Sequence, residues 1–338
     1  MKIGIVNDLD MATQAISSTL NSTKDHRVLW IAKSGADAVR LCRENTPELV
    51  LMDLVMPGMN GAETTRQIMD ACPTGILVVT ASIAGNCALA FEAMGAGALD
   101  VIATPSLAND SSRKEFLQKI SQIGAIVADQ NKPEPPPPCR PETLACGVVG
   151  ATDTIVAIGC SAGGPAALAE ILGALDPVGR AAVVIVQHID VRFVEDLAKW
   201  LAGFAKDPIK LVAEGDLIEP GHIYLAGKDG HIEAHSCSRL RYDQTIGGLA
   251  YQPSVDVFFS SIARNWRGKA MGAVLTGMGK DGASGLRAMR DARFLTIAQD
   301  EKSSALFGMP KAAAPFASEI LPLSSIAPRI NRWIQTTK

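Results

Sequence analysis

The stretch IVAIGCSAGGP, from Ile155 to Pro165, decides the fold of the second half of the chain. Its first residues form an apolar run that is typical of a buried strand, and its last residues are small, as a sharp strand-to-helix turn requires. Ser161 lies in that turn. In an open parallel sheet such turns border one crevice at the carboxyl ends of the strands, so we expect Ser161 to face that crevice.

Two further stretches have the same form. They are AAVVIVQHI, which contains His188, and MGAVLTGMGKDG, which contains Asp281. Each is an apolar run followed by polar residues, which indicates a buried strand and the turn after it. Residues that are far apart in the sequence can meet at the crevice of a parallel sheet. We therefore predict that a serine hydroxyl, an imidazole and a carboxylate come together there.

The size and composition of the chain indicate a globular protein of two domains. At 338 residues the chain is long for one hydrophobic core, and its net charge of −3 predicts neither a nucleic-acid partner nor binding to an anionic membrane. No apolar run approaches the ~20 residues of a spanning helix, so direct membrane insertion is not expected. The start MKIGIVNDLD has no secretory leader, and the seven cysteines lack metal-type spacing. We expect reduced thiols and a cytoplasmic protein, which a partner could recruit to a membrane.

Three regions follow one another along the chain. Residues 1–128 alternate strand-like and helix-like segments, which predicts a flavodoxin-like α/β domain with a five-stranded parallel sheet. Residues 129–152 contain NKPEPPPPCRPE, whose prolines favour an extended interdomain linker. Residues 153–338 resume the alternation and predict a second, doubly wound α/β domain. Within it, Ile223–Tyr242 is predicted to form hairpin structure with GKDG as a turn.

Acidic residues follow two strands of the predicted first domain. Asp8 comes after the first strand, and Asp53 comes after the third, inside LVLMDLVMPGMNG. In the flavodoxin-like strand order both lie at the same edge of the sheet, where their repulsion favours a Mg²⁺ ion shared with phosphate oxygens. Thr80 ends the fourth strand and could bind a phosphoryl oxygen through its hydroxyl. The alternative is that the two acids cap helices or lie on solvated loops.

This pattern resembles the receiver domain of bacterial response regulators over roughly residues 1–128. The similarity is carried by the acidic site after the first strand, by MDLVMPGMNG, by VVTAS and by AMGAGALDVIATP. It implies that Asp53 accepts a phosphoryl group from a histidine kinase, that Asp8, Asp53 and a backbone carbonyl hold Mg²⁺, and that Thr80 is the switch hydroxyl. Two positions depart from the family, with Asn7 where an acid is usual and Thr104 where a lysine is usual.

The turn around Ser161 also matches a pattern of hydrolytic enzymes. GCSAG fits G-x-S-x-G, in which small neighbours leave the serine hydroxyl exposed and the next helix directs backbone N–H groups at a developing negative charge. Taken alone, the pattern also fits a glycine-rich turn that cradles phosphate or lets a helix pack closely, although the P-loop lysine is missing. The chain order serine, histidine, aspartate differs from that of the α/β-hydrolases.

A serine nucleophile needs a base, and His188 is the candidate because it directly follows an apolar strand. His26 falls in the first domain, and the other histidines fall in the hairpin region, where a structural or solvent-facing role is expected: His222, His231 and His235. Asp281 is the candidate for the carboxylate that orients the imidazole. The alternatives are a hydrogen-bonded histidine at a strand end and an aspartate that caps a helix at Ala283–Asp291.

The second half of the chain is similar to the catalytic domain of the chemotaxis protein-glutamate methylesterases, the CheB family. The similarity is carried by GCSAGGP, VQHI, YQPSVDVFFSSIA, LTGMGKDGASGLRAMR and AQDEKSSALFGMPKAA, and with the receiver and linker it covers nearly the whole chain. It implies that Ser161 is the nucleophile, His188 the general base and acid, and Asp281 its orienting partner. It also implies that Met278 supplies a backbone N–H to the oxyanion hole. Ala162 stands where the family usually has a threonine after the serine.

The same resemblance implies a substrate, partners and a mode of regulation. It predicts hydrolysis of glutamyl methyl esters, and deamidation of glutamines, on the cytoplasmic domain of methyl-accepting chemoreceptors, with no cofactor in the esterase domain. A CheA-type histidine kinase is the implied phosphodonor. Phosphorylation of Asp53 is implied to loosen a receiver that covers Ser161. The departures from the family pattern point to its Wsp-type, surface-sensing branch.

Two other functions remain open on the sequence alone. One is a non-catalytic two-component signalling module that competes for phosphoryl groups. The other is a phosphorylation-controlled amidase or thioesterase that acts on a small metabolite. The complete set of Ser161, His188 and Asp281 argues against the first, and only the family motifs argue against the second.

Overall fold

The computed structural model describes residues 1–23, 25–81, 86–128, 151–228, 230–235, 238–245 and 252–336. The chain divides into two units, Met1–Asn131 and Lys132–Lys338. The boundary between them falls inside the predicted proline-rich linker, residues 129–152, which lies almost wholly outside the described residues.

The first unit is a five-stranded sheet with the strand order β2-β1-β3-β4-β5, and all its strand pairs are parallel. This confirms the predicted flavodoxin-like sheet. Its strands are β1 Lys2–Val6, β2 Arg27–Ala32, β3 Leu49–Met52, β4 Gly75–Thr80 and β5 Asp100–Ala103. Its helices are α1 Asp10–Asn21, α2 Gly35–Glu44, α3 Gly61–Ala71, α4 Cys87–Gly95 and α5 Asp110–Ala128.

Local sequence accounts for the strands and helix starts of this unit. The strand β3 reads LVLM and is buried at every residue, as a central parallel strand must be when helices cover both faces. Helices α2 and α3 begin after Ser34 and Asn60, whose side chains accept hydrogen bonds from the backbone N–H groups of Asp37 and Glu63. These two caps therefore fix where the chain leaves the sheet edge after β2 and after β3.

The second unit contains a seven-stranded sheet with the order β14-β13-β12-β6-β7-β9-β8 and a separate two-stranded sheet. Every pair in the seven-stranded sheet is parallel, which confirms the doubly wound prediction. The strands are β6 Thr154–Cys160, β7 Ala181–Gln187, β8 Ile209–Leu211, β9 His222–Leu225, β10 His231–His235, β11 Arg239–Asp243, β12 Lys269–Val274, β13 Leu295–Gln299 and β14 Glu319–Leu321. The helices are α6 Gly164–Ala174, α7 Val194–Ala202, α8 Val255–Asn265, α9 Ala283–Asp291, α10 Met309–Ala313 and α11 Leu323–Thr336.

The centre of the large sheet is formed by β12, β6 and β7. Strands β6 and β7 are buried along their whole length, because helices cover both faces. Strand β6 pairs with β7 on one side and with β12 on the other, so the chain reverses its winding direction there. Open α/β sheets form their binding crevices at such a reversal point, outside the carboxyl ends of the strands.

The predicted hairpin over Ile223–Tyr242 is only partly correct. Strands β10 and β11 do pair antiparallel, but β9 belongs to the seven-stranded sheet, where it pairs parallel with β7 and β8. The segment GKDG joins β9 to β10 and is not the turn of the hairpin, whose connection lies between His235 and Arg239. Strand β9 enters the large sheet because its apolar residues, with Tyr224 fully buried, need cover on both faces.

Candidate functional site

Ser161 occupies the turn between β6 and α6 at the centre of the large sheet. Its backbone N–H donates to the carbonyl oxygen of Thr276 at 3.1 Å, and its own carbonyl oxygen accepts from the N–H of Gly164 at 2.8 Å. Gly163 precedes the helix with a φ of +74°, a conformation that a residue with a side chain rarely adopts. The predicted strand-turn-helix is confirmed, and it places Ser161 just before the N-terminus of α6.

A glycine after β12 lets the second loop approach Ser161 closely. A Cβ atom on Gly277 would lie 2.7 Å from the Cβ of Ser161 and 2.3 Å from the sulfur of Met309. The hydroxyl of Thr276 donates to the carbonyl oxygen of Ala162 at 3.0 Å and so ties the same two loops together. The turn that carries Ser161 is therefore held against the end of β12.

His188 is the first residue after β7 and lies beside Ser161 across the sheet. Cys160 is paired with Gln187 in the strand register, so the next residue on each strand is Ser161 and His188. The backbone N–H of His188 donates to the carbonyl oxygen of Cys160 at 2.9 Å. No hydrogen bond joins the Ser161 hydroxyl to His188 in the described part of the chain. Bonds between a nucleophile and its base are often long in a free enzyme and tighten when substrate binds.

Gln187 holds the backbone of both residues and was not identified from the sequence. Its side-chain amide donates to the carbonyl oxygen of Ser161 at 2.8 Å and to that of His188 at 2.9 Å. The residue is 1% exposed. A glutamine that ends an otherwise apolar strand is an available signal, since a buried amide must find partners.

The imidazole of His188 is bonded to the carboxylate of Asp281. Nε2 of His188 lies 2.8 Å from Oδ2 of Asp281, and each side chain is 7% exposed. Because a carboxylate accepts but does not donate, this bond places the imidazole proton on Nε2. The nitrogen that can act as a base is therefore Nδ1.

The carboxylate of Asp281 lies at the N-terminus of α8. Oδ1 accepts from the hydroxyl of Ser254 at 2.7 Å and from the N–H of Asp256 at 2.9 Å, and Oδ2 accepts from the N–H of Val255 at 2.6 Å. The alternative that Asp281 caps its own following helix is wrong, because Gly282 occupies the N-cap position of α9. A carboxylate is favoured here by the helix dipole and by the N–H groups that have no partner inside the helix.

These donors decide the ionisation of Asp281. Burial by itself raises the pKa of this carboxyl, but the hydrogen bond and positive charge of His188, together with the Asp256 N–H and the Ser254 hydroxyl, outweigh it and hold the pKa below its ordinary value. Asp281 is therefore ionised at neutral pH. It can fix the imidazole orientation and stabilise the imidazolium that forms when His188 takes up a proton.

Ser254 has a second role that the sequence did not reveal. It was predicted to start a helix as a cap, and its side chain does accept from the N–H of Val257. Its hydroxyl also donates to Asp281, and its backbone N–H donates to Nδ1 of His231 at 3.1 Å. His231, fully buried on β10, has the structural position that was expected for it. The start of α8 is thus part of the site.

Met278 follows Gly277 in the loop after β12 and is buried. Its backbone N–H makes no hydrogen bond with any residue that the structure describes. A free N–H in a loop that touches the Ser161 turn is what an oxyanion site needs. The role predicted for Met278 stays a prediction.

The predicted acidic site of the first unit lies at the ends of three adjacent strands. Asp8 follows β1, Asp53 follows β3 and Thr80 ends β4, so all three lie at one edge of the sheet. Burial raises the pKa of Asp53, and the charge of Asp8 adds to that effect against the N–H groups of Leu54 and Val55. The carboxylate oxygen Oδ1 of Asp8 is buried and has no hydrogen-bond partner among the described residues. The buried carboxylate of Asp53 and the unpartnered oxygen of the half-buried Asp8 fit a hard cation such as Mg²⁺.

The two residues that depart from the receiver pattern both make hydrogen bonds near this edge of the sheet. The side-chain oxygen of Asn7 accepts from the N–H of Leu9 at 2.8 Å, so this amide closes its own loop. Thr104 donates its backbone N–H to Thr80 at 2.9 Å. Among the described residues there is no cluster of three or more His, Cys, Asp or Glu side chains that could hold a metal. A cation at this edge would therefore depend on the carboxylates of Asp8 and Asp53 and on oxygens from elsewhere.

Comparison with known proteins gives two family matches. Residues 156–330 match the CheB methylesterase family, and residues 3–112 match the response regulator receiver domain. A Burkholderia lata protein named protein-glutamate methylesterase/protein-glutamine glutaminase 2 is 47% identical over 336 residues, which are 98% of this chain and 97% of that protein. A Pseudomonas fluorescens protein named protein-glutamate methylesterase/protein-glutamine glutaminase 1 is 45% identical over 335 residues, 98% of each chain.

A solved structure matches the second unit. The crystal structure of the Thermotoga maritima CheB methylesterase catalytic domain has a TM-score of 0.51 and 30% sequence identity, and covers 55% of this chain and 100% of that domain. Within the described residues, no helix is long and apolar enough to cross a membrane.

Proposed function

Because the chain belongs to the CheB methylesterase family and carries a response regulator receiver domain, we propose that it is a phosphorylation-controlled protein-glutamate methylesterase and glutaminase. Its substrates are glutamyl methyl esters and certain glutamines on the cytoplasmic domain of methyl-accepting chemoreceptors. The domains are a receiver at 1–128, a linker at 129–152 and a methylesterase domain at 153–338. The protein works in the cytoplasm, and assignment to the surface-sensing branch stays a prediction.

The observation that carries this proposal is the placement of three side chains at the centre of one sheet. The 2.8 Å bond between His188 and Asp281 joins the loops after β7 and β12, and Ser161 follows β6 between them. Such a set converts a weak hydroxyl nucleophile into an effective one.

The reaction follows from the protonation states of these groups. Oγ of Ser161 attacks the ester carbonyl carbon while Nδ1 of His188 takes the hydroxyl proton, and Asp281 stabilises the imidazolium. The oxyanion is stabilised by backbone N–H groups, with Met278 as the proposed donor, at ~3 kcal/mol for one such donor. The C–O bond then breaks, and His188 returns the proton to the leaving methanol. Water adds to the acyl-serine by the reverse sequence, which frees the glutamate carboxylate and Ser161. With glutamine the leaving group is ammonia.

Asp53 is the proposed site of control. Its carboxylate accepts a phosphoryl group from a CheA-type histidine kinase, and Thr80 is the switch hydroxyl that binds a phosphoryl oxygen. Asp8 and Asp53 are the residues that would hold Mg²⁺, which supplies positive charge to the phosphoryl oxygens. Support comes from the buried oxygen of Asp8 and the raised pKa of Asp53. We expect Asp53→Asn to remove both the label from a small phosphodonor and the activation that the donor causes.

A non-catalytic signalling module is the weaker candidate. Such a module does not need an ionised carboxylate beside His188. Asp281 nevertheless accepts hydrogen bonds from three donors at the start of α8 as well as from that histidine, and these donors keep it ionised. The relatives that are similar over nearly the full chain are also named as enzymes.

The test is release of methanol from a methylated receptor fragment by the full chain. We expect Ser161→Ala to reduce the release to the rate of the fragment alone, while its unfolding transition and its phosphorylation at Asp53 stay unchanged. Release by Ser161→Ala at the wild-type rate would contradict the proposal.

A further inference from the structure

At the N-terminus of each of the helices α8 and α9, backbone N–H groups donate hydrogen bonds to an aspartate from the other helix or from the loop before it. Asp281, which precedes α9, accepts hydrogen bonds at the start of α8. Asp256, in the first turn of α8, accepts in return from the N–H of Gly285 at 2.6 Å, and the nearby N–H groups of Gly282 and Ser284 lower its pKa further. The N-terminus of α8 therefore receives negative charge from the loop before α9, and the N-terminus of α9 receives it from the first turn of α8.

The two helices touch where this exchange takes place. A Cβ atom on Gly285 would lie 2.6 Å from the Cβ of Phe259 and 2.9 Å from the carbonyl oxygen of Asp256. The loop that carries Asp281 is thus held at two places. The Asp281 carboxylate is bonded to the start of α8, and the Asp256 carboxylate is bonded to the start of α9, which directly follows the loop. Loss of the second point would free the start of α9 and, with it, the loop.

The two carboxylates also interact as charges. Burial and, after it, the charge of Asp281 raise the pKa of Asp256 to about 7, although the N–H groups at the start of α9 lower it. Helix α8 also packs on β10 and β6. From β10, His231 contacts the N–H of Ser254, while Glu233 is paired with Arg264 at 2.9 Å further along α8. Strand β6 offers no carboxylate or basic side chain. Asp281 is therefore the acid that faces Asp256.

We propose that Asp256 is a positioning residue for the reaction, which holds Asp281 against His188 and adds a negative charge that stabilises the imidazolium formed on His188. The inference rests on the proposed function. A proton leaves Asp256 as the pH rises through neutrality, and the added charge then assists each step in which His188 is protonated. The contribution is made mainly in the transition state, so it belongs in kcat and not in KM.

The kinetic test uses Asp256→Asn, which keeps an acceptor oxygen for Gly285 and removes the charge. We expect kcat to fall about tenfold at pH 8 and by less than about twofold at pH 6, where the wild-type side chain is mostly protonated, with KM unchanged at both. The matched control is Asp291→Asn, an exposed acid at the other end of α9, which should leave kcat unchanged. An equal loss at pH 6 and pH 8 would show a structural role only, and no loss at pH 8 would also overturn the proposal.

A second measurement does not depend on activity. The carboxyl carbon signal of Asp256 in the full chain should titrate near pH 7, and its midpoint should fall by about one pH unit or more in Asp281→Asn. A midpoint near the ordinary value of 3.8, or one that Asp281→Asn leaves in place, would overturn the charge coupling. If the wild type releases no methanol, the proposed function fails, yet this titration still decides whether the two acids are coupled.

Discussion

Asp53 and Asp281 are both buried aspartates in loops that follow parallel strands, and their environments are opposite. Asp281 is surrounded by donors, namely the start of α8 and the imidazole of His188, and its pKa lies below the ordinary value in spite of its burial. Among the residues that the structure describes, Asp53 has only the N–H groups of Leu54 and Val55 to offset burial and a neighbouring acid, and its pKa is raised. The same sequence signal thus produces one satisfied carboxylate and one that is not.

The difference explains how one chain can carry two kinds of acid chemistry. A carboxylate neutralised by the protein itself is permanently charged and oriented, which suits a residue that must hold another side chain in place. A carboxylate that lacks donors needs an external cation, which suits a residue that is modified and later restored. Permanent compensation therefore marks the proposed esterase site, and incomplete compensation marks the proposed phosphorylation site.

The largest expected effect on activity comes from removing the charge of Asp281. Asp281→Asn should lower kcat by about 10⁴-fold, because an amide cannot stabilise the imidazolium and can favour the wrong imidazole tautomer. Steady-state methanol release measures the loss. The same variant should take up phosphoryl label on Asp53 at the wild-type level. Loss of that label together with the esterase activity would mean that the variant has misfolded and that the two sites have not been separated.

The second effect is a pH dependence of stability that Asp256 introduces. Its pKa is about 7 in the folded protein against 3.8 in the unfolded chain, so the folded state keeps a proton that the unfolded state has lost. The free energy of unfolding should therefore fall as the pH rises from about 4 to about 7, by a few kcal/mol at most. Urea unfolding at pH 5 and pH 8 measures the decline. A decline of the same size in Asp256→Asn would refute the assignment.

The close approach of Gly277 to the Ser161 turn gives the third effect. Gly277→Ala should lower kcat by about 10²-fold, because the new methyl group would displace the Cβ of Ser161 from its position 2.7 Å away. The control is Gly173→Ala in α6, where an added Cβ meets nothing within 4 Å. That variant should keep full activity and gain up to ~1 kcal/mol of stability from helix propensity. Similar kinetics for the two variants would show that Ser161 does not depend on this contact.

The smallest effect concerns Ser254. Ser254→Ala should cost about 1 kcal/mol of stability as a lost cap and lower kcat about tenfold, because Asp281 loses one of its donors. Ser34→Ala removes the equivalent cap from α2 in the first unit. It should cost a similar free energy of unfolding and leave methanol release unchanged. If both variants leave kcat unchanged, the Ser254 hydroxyl acts on the helix alone.

The sequence predicted the residues of the site better than their supports. The apolar runs before Ser161, His188 and Asp281 were enough to place all three in loops that follow strands, because strand position follows from local hydrophobicity. Ser161 and His188 come directly after their strands, whereas Asp281 lies further along its loop, just before α9. Gln187 was missed, since its importance depends on hydrogen bonds to residues on another strand. The capping of α8 by Asp281 was missed because it joins segments separated by 26 positions. Local patterns do not encode such long-range polar contacts.

The hairpin prediction failed for a related reason. The segment GKDG has turn composition, and the strands around it have suitable residues, but whether β9 pairs with β7 or with β10 depends on the burial available in the large sheet. A strand with apolar residues on both faces gains more from the interior of a parallel sheet than from a two-stranded ribbon. That choice is made by tertiary packing.

The most direct test of the account is hydrolysis of a methylated receptor fragment in water enriched in ¹⁸O. Attack by Ser161 on the carbonyl carbon, followed by water on the acyl-serine, predicts one ¹⁸O atom in the glutamate carboxylate and none in the methanol. Mass spectrometry of both products measures this, and Ser161→Ala should form neither. Appearance of ¹⁸O in the methanol, or labelled glutamate formed by Ser161→Ala, would contradict the account.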